Sequence, residues 1–171
     1  MEQKKTSHVA KGVTIGLVTI VYSSILYFMG QMFNKALGNL SLLILLVGLI
    51  VSGNIFSKEN DANVTFGNVF AHCFKTNAVV AIIVILWGII SAKIVFPNME
   101  DQMMEYTRKA LEKQGIYSDG QISQSIGLMK KGFMVLMIGG NILIYAIGGA
   151  ICSLIAAAVA KKNPQQPFSQ P

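Results

Sequence analysis

Few residues of this sequence could carry chemistry, and their spacing builds no familiar catalytic arrangement. His72 is next to Cys73, but neighbouring residues on a helix point about 100° apart, so their side chains do not face each other. Cys73 and Cys152 are too few and too far apart for a disulfide framework or a metal site. We therefore expect no catalytic residue, no bound metal and no cofactor.

The acidic residues and the known catalytic motifs support the same expectation. All eight Asp and Glu residues lie outside the long uncharged stretches of the chain, and none belongs to a recognisable catalytic motif. The sequence has no glycine-rich phosphate loop, no H-E-x-x-H zinc motif and no G-x-S-x-G nucleophile motif. The sequence therefore predicts a protein that is not an enzyme.

The elements that would position any site are four long stretches without charge. The chain is 53% hydrophobic and 13% charged, and Asp, Glu, Lys and Arg are absent from 12–34, 36–57, 76–92 and 132–160. About 20 apolar residues in a helix cross a hydrocarbon core of roughly 30 Å. The alternation of apolar and polar residues that is typical of membrane β-strands is absent from these stretches. We therefore predict an all-α membrane protein, a single four-helix transmembrane domain over 1–160 with spans at 13–32, 37–56, 78–96 and 133–160.

Two segments between the spans have amphipathic patterns. Thr65 can cap a short helix whose aromatic face is opposite His72. In 97–132, one predicted helix carries a stripe of Met99, Met103, Tyr106 and Ala110 and ends at Gly115. Ser118 or Asp119 can cap a second helix, whose apolar face holds Ile122, Ile126 and Met129. We expect interfacial helices between spans two and three and between spans three and four, and a disordered tail at 161–171.

Inside the spans, polar and small residues are the candidates for contacts between helices. An unpartnered amide in hydrocarbon costs several kcal/mol, so Asn141 should find a partner on another helix. The partners at matching depth on the first span are Ser24, Ser23 and Tyr27. Small residues allow close helix packing, either within the bundle or in a homodimer; they are Gly12, Gly16, Gly149 and Ser153. The glycine pairs at 139–140 and 148–149 can instead loosen the fourth span, as broken helices do in some transporters.

Basic residues flank the spans and therefore indicate membrane topology rather than nucleic-acid binding. Seven lie on each side of the predicted bundle, so their number does not decide the orientation. Three lysines precede the first span, and one follows it. Because the first helix usually dominates, we expect both termini in the cytoplasm.

The chain resembles the bacterial membrane-protein family known as domain of unknown function 4199. The likeness rests on the first span from Gly12, the 64–70 loop motif, the 96–100 segment and the stretch from Gly115 to Gln121. The resemblance implies a bacterial inner membrane location and brings no activity, substrate or catalytic residue.

Together these observations favour an integral membrane protein that acts as a non-enzymatic accessory or assembly component. The alternative is a subunit of a small-solute transporter or channel, although the spans carry no ionisable residue at midplane depth. The expected partners are the lipid bilayer and either a second copy of the chain or another membrane protein. Nucleic acid is not expected.

Overall fold

The computed structural model describes residues 6–163, and all regular structure in that range is helical. Two π-helical turns interrupt the pattern: Ser91–Val95 continues α3, and Ile144–Gly148 joins α6 to α7. The α-helices are α1 His8–Phe28, α2 Lys35–Lys58, α3 Phe66–Ile90, α4 Met99–Gln114, α5 Asp119–Lys131, α6 Phe133–Leu143 and α7 Gly149–Val159.

Within residues 6–163, four helical stretches are long and apolar enough to cross a membrane, which confirms the all-helical prediction with four spans. They are His8–Phe28, Lys35–Lys58, Phe66–Val95 and Phe133–Val159. The first begins earlier than predicted because Ser7 caps it, accepting a hydrogen bond from the Ala10 backbone N–H. The last eight residues of the predicted disordered tail, 164–171, lie outside the described residues.

The region between spans two and three differs from the prediction, because it holds no separate helix. Thr65 does accept a hydrogen bond from the Asn68 N–H, as expected of a cap, but the helix that starts there continues to Ile90. His72 is buried, whereas Phe66 and Phe74 of the predicted aromatic face are exposed. The helix can run on because neighbouring helices in the same unit cover its polar residues, so the assumption that these must lie outside the bundle was wrong.

The chain divides into two compact units, and the first comprises the described residues 6–84 and 143–163. In this unit α2 packs against α1 and α7. Gly53 of α2 lies at the centre, where an added Cβ would stand 3.1 Å from the Cys73 sulfur. The buried core around it includes Leu45, Leu49, Val69, Cys73, Val80 and Ala156.

The second unit, residues 85–142, is built around the helical pair α4 and α5. Its buried core is formed by Met104, Ile122, Ile126 and Phe133. Ile122 and Ile126 therefore lie on the inner face, as the spacing predicts. The predicted stripe on α4 is shifted, because Met99 and Met104 are buried while Tyr106 and Ala110 are exposed.

The connection between α4 and α5 follows the turn chemistry of the sequence. Gly115 ends α4 in the left-handed conformation at φ 66°, which costs glycine little. Of the two residues proposed to cap α5, Ser118 is the cap: its hydroxyl accepts from the Gln121 N–H, and the Gln121 side chain accepts from the Ser118 N–H. This reciprocal pair is a capping box.

Replacing this cap gives the first prediction. Ser118→Ala removes the acceptor for the Gln121 N–H and should lower the free energy of unfolding by about 1 kcal/mol. Ser118→Asp restores an acceptor at the same position and serves as the control. Denaturant titration of the purified protein in mixed micelles measures the effect, and equal losses in both variants would contradict the capping role.

Candidate functional site

A buried ion pair links the start of α1 to the end of α2 in the first unit. The Lys11 Nζ lies 3.0 Å from the Glu59 Oε2, and the side chains are only 6% and 12% exposed. The Thr6 backbone N–H donates to the other carboxylate oxygen at 2.9 Å. Burial raises the pKa of the Glu59 carboxyl, but the Thr6 and Lys11 hydrogen bonds and the Lys11 charge outweigh it, so the pKa lies below its ordinary value.

His72 of α3 lies near this pair and contacts α1 and α2. Its Nε2 is 3.2 Å from the Ser52 hydroxyl oxygen. Its ring stacks on Phe56, with centroids 4.2 Å apart, and meets His8 edge-on at 6.4 Å. Lys11, Glu59, His72, Ser52 and His8 define what we call the polar cluster.

The thiol of Cys73 makes a different contact from the His72 ring. It donates to the Leu49 carbonyl at 3.5 Å, while the His72 Nε2 contacts Ser52. Two adjacent residues of α3 therefore contact different turns of α2. This arrangement joins helices and does not place a base beside a nucleophile.

A second polar contact joins α3 to the π-helical turn between α6 and α7. The Asn77 side chain is 3% exposed, and its Nδ2 donates to the Tyr145 carbonyl at 2.9 Å. A π-helical turn changes the regular i to i−4 bonding, and such turns are frequent at functional sites. The Asn77 Oδ1 has no hydrogen-bond partner among the described residues.

Gly149 provides the space for this amide. A Cβ added at Gly149 would lie 2.2 Å from both the nitrogen and the oxygen of the Asn77 amide. Gly149 was predicted from the sequence as a packing residue, whereas Asn77, which precedes the predicted third span by one residue, was not predicted. The available signal was the glycine pair at 148–149, which marks a close approach of another group.

Coupling between these two residues gives the second prediction. Gly149→Ala should lower the free energy of unfolding by about 1 to 3 kcal/mol, because the new methyl group displaces the Asn77 amide from a packed interior. In an Asn77→Ala background the same change should cost less, because the amide is gone. A double-mutant cycle measures this coupling, and strictly additive losses would show that the two positions do not interact.

The remaining glycines predicted for packing lie at the contact of α1 with α3. A Cβ at Gly12 would be 2.7 Å from the Val79 Cβ, and one at Gly16 would be 3.0 Å from an Ile83 methyl carbon. Ser153 is fully buried and donates to the Gly149 carbonyl of its own helix at 2.7 Å. Close packing of α1 within its own unit therefore involves the G-x-x-x-G pair.

The polar residues predicted to join helices make hydrogen bonds or ring contacts within their own helices. Asn141 donates to the Met137 carbonyl at 2.8 Å. Ser23 and Ser24 both donate to the Ile20 carbonyl, and the Tyr27 ring lies edge-on to Phe28. The interhelical hydrogen bond of Asn141 stays a prediction.

The end of α7 is tied to the loop that follows α2. Lys162 donates from its Nζ to the Ala160 carbonyl at 2.7 Å, which satisfies a free group at the helix end. The Asn163 N–H donates to the Ala62 carbonyl at 2.7 Å, and the Ser57 hydroxyl donates to the Lys161 carbonyl. These bonds hold the C-terminal ends of α2 and α7 next to each other, at the end of the first unit where the polar cluster lies.

Within residues 6–163, no group of three or more His, Cys, Asp and Glu side chains is arranged to hold a metal ion. Both cysteines are buried and unpaired by disulfide bonds. In the polar cluster, the charges of Lys11 and Glu59 neutralise each other. The chemistry that this arrangement supports is the joining of helices by buried polar contacts.

Four apolar helices joined in this way define a multi-pass integral membrane protein. Comparison with protein families gives a match over residues 11–162 to the family DUF4199, which is described as "protein of unknown function". The match covers most of the chain, and the protein belongs to this family, as the sequence motifs suggested. No curated protein and no solved structure matches the chain.

Proposed function

We propose that this protein is a non-enzymatic accessory or assembly component of the bacterial inner membrane. The observation that supports the proposal is the set of hydrogen bonds that the polar side chains inside its spans make. Several of them donate to a carbonyl four residues earlier in the same helix, namely Thr19, Asn54, Thr76, Asn141 and Ser153. These groups stabilise helices and are already occupied, which favours a structural role over solute handling.

The outer surfaces of the spans supply the contacts that such a component needs. Large apolar side chains are exposed along α1, α2 and α7, among them Val21, Val47 and Val159. In a membrane these surfaces meet lipid, a second copy of the chain or another membrane protein. A protein partner would therefore bind through apolar and small side chains, and not through the charge contacts that a nucleic acid makes.

In the second unit, α4, α5 and the loop between them also carry exposed apolar residues. Their exposed apolar residues include Ile116, Tyr117 and Leu128, while Lys109 and Lys130 pair with nearby carboxylates. The hydrogen bonds that Lys109 and Lys130 donate to the carboxylates of Glu105 and Asp101 raise the pKa of these two lysines above its ordinary value, so both stay charged. Apolar and charged residues together fit helices that lie at the membrane surface.

Crosslinking in native membranes, followed by mass spectrometry, tests the proposed role. We expect one or more membrane proteins to be captured reproducibly through α1, α2 or α7. Recovery of a homo-oligomer alone, together with solute flux in liposomes that contain the purified protein, would contradict it. That result would favour the small-solute transporter or channel subunit instead.

Cysteine labelling tests the proposed cytoplasmic location of both termini. Asn60→Cys places a thiol in the loop after α2, and Lys109→Cys places one on α4. In intact spheroplasts, a membrane-impermeant thiol reagent should label position 109 and spare position 60. The native Cys73 and Cys152 are buried and give a low background, and the reverse pattern would reverse the orientation.

A further inference from the structure

An apolar groove runs between α1 and α2 in the first unit. Its volume is about 690 Å³, and its walls include Ile15 and Val18 of α1 and Leu43 and Val47 of α2. The α2 wall extends from residue 40 to residue 55, which is about 22 Å along a helix. A space of this length and polarity can take an extended hydrocarbon chain.

A polar depression of about 640 Å³ adjoins the groove at the end of α2. Val51 and Ile55 line both spaces, so the two spaces lie next to each other on the surface of α2. The depression also includes Asn54, Ser57, Lys58, Asp61 and Lys161. Its two lysines outnumber its one carboxylate, which gives it a net positive charge.

The lysines of the depression are available to bind an anion. Their ammonium groups have no hydrogen-bond or ion-pair partner within the part of the chain that the structure describes, whereas Lys11 at the groove is paired with Glu59. Lys58 is the last residue of a candidate membrane span, and Lys161 follows another. Both therefore lie at the depth of lipid headgroups, where basic pockets between helices bind anionic lipids.

We propose that the groove and the depression together bind one anionic phospholipid. An acyl chain occupies the groove between α1 and α2, and the phosphate of the headgroup lies between Lys58 and Lys161. The Asn54 amide donates one N–H to the Ile50 carbonyl and has a second N–H that can donate to the headgroup. The neutralised Lys11 leaves the groove without free charge, which suits an acyl chain. This inference goes beyond the accessory role, which does not require a bound lipid.

Native mass spectrometry of the purified full-length protein tests the proposal with phosphatidylglycerol and phosphatidylcholine as probes. Wild type should bind phosphatidylglycerol more tightly. The double variant Lys58→Gln, Lys161→Gln should weaken phosphatidylglycerol binding by about fivefold for each lysine and leave phosphatidylcholine binding unchanged. The control Lys35→Gln, Lys113→Gln removes two lysines elsewhere and should change neither affinity.

A groove variant tests the acyl-chain half of the proposal. Val47→Trp fills the groove and should weaken binding of both lipids, whereas Val21→Trp, a similarly exposed position outside the groove, should not. Equal affinity of wild type for the two lipids, unchanged by the lysine substitutions, would overturn the proposal. It would also be overturned if Val47→Trp converted a dimer to a monomer without changing lipid binding, because a second copy would then occupy the groove.

Discussion

Alanine at position 12 should lower the free energy of unfolding by about 1 to 3 kcal/mol. The added methyl carbon would stand 2.7 Å from the Val79 Cβ and 2.9 Å from the Thr76 carbonyl oxygen. The Val79 Cβ is bonded to the backbone of α3, and the Thr76 carbonyl oxygen is part of it. Neither atom can rotate away, so α1 and α3 must separate. Alanine favours a helix over glycine by about 1 kcal/mol, and the clash should exceed that gain.

Gly38→Ala is the matched control, because it is the same substitution in α2. No heavy atom lies within 4 Å of the added Cβ at that position. It should therefore leave stability unchanged or raise it by up to about 1 kcal/mol. Denaturant titration in mixed micelles compares the two variants. A loss at position 38 equal to the loss at position 12 would mean that glycine acts through the backbone and not through close packing.

The number and type of spans could be predicted from the sequence because lipid imposes a simple demand. A helix in hydrocarbon satisfies its own backbone and needs about 20 apolar residues, which the four uncharged stretches provide. The start of the third span could not be predicted in this way. From the sequence alone, His72, Thr76 and Asn77 resemble loop residues, but each is buried in the structure.

The candidate site could be predicted only where the residues involved form a motif within one segment of the sequence. Gly12 and Gly16 form a local motif, and both lie in close contact with α3. The partners Lys11 and Glu59 are 48 residues apart, so Lys11 looked like a simple topology signal before α1. The contact of Asn77 with Tyr145 spans 68 residues, and it depends on a π-helical turn that no residue pattern specifies.

Breaking the ion pair of the polar cluster should have the largest effect on stability. Glu59→Gln leaves the ammonium of Lys11, whose side chain is only 6% exposed, without its carboxylate, and loss of one partner of a buried pair costs about 3 to 5 kcal/mol. We expect about 3 kcal/mol, because the long lysine stem can partly reach toward headgroups. Denaturant titration at neutral pH measures this loss.

The same carboxylate should make stability depend on pH in the acid range. Because its pKa is lower in the folded protein than in the unfolded chain, its contribution is complete above about pH 4.3, the ordinary value for glutamate. Below that pH the unfolded chain takes up the proton first, and the contribution is lost as the pH falls through the folded pKa. Glu59→Gln should remove this part of the pH dependence.

Two further variants separate the ion pair from general damage. Lys11→Met combined with Glu59→Gln removes both charges and keeps an acceptor for the Thr6 N–H, so it should recover most of the lost stability, as replacement of buried pairs by apolar residues often does. Glu105→Gln breaks the exposed pair with Lys109, whose side chains are 65% and 70% exposed, and should match wild type within error. If the double variant were as unstable as Glu59→Gln alone, the cost would lie in the lost carboxylate itself and not in the stranded charge of Lys11.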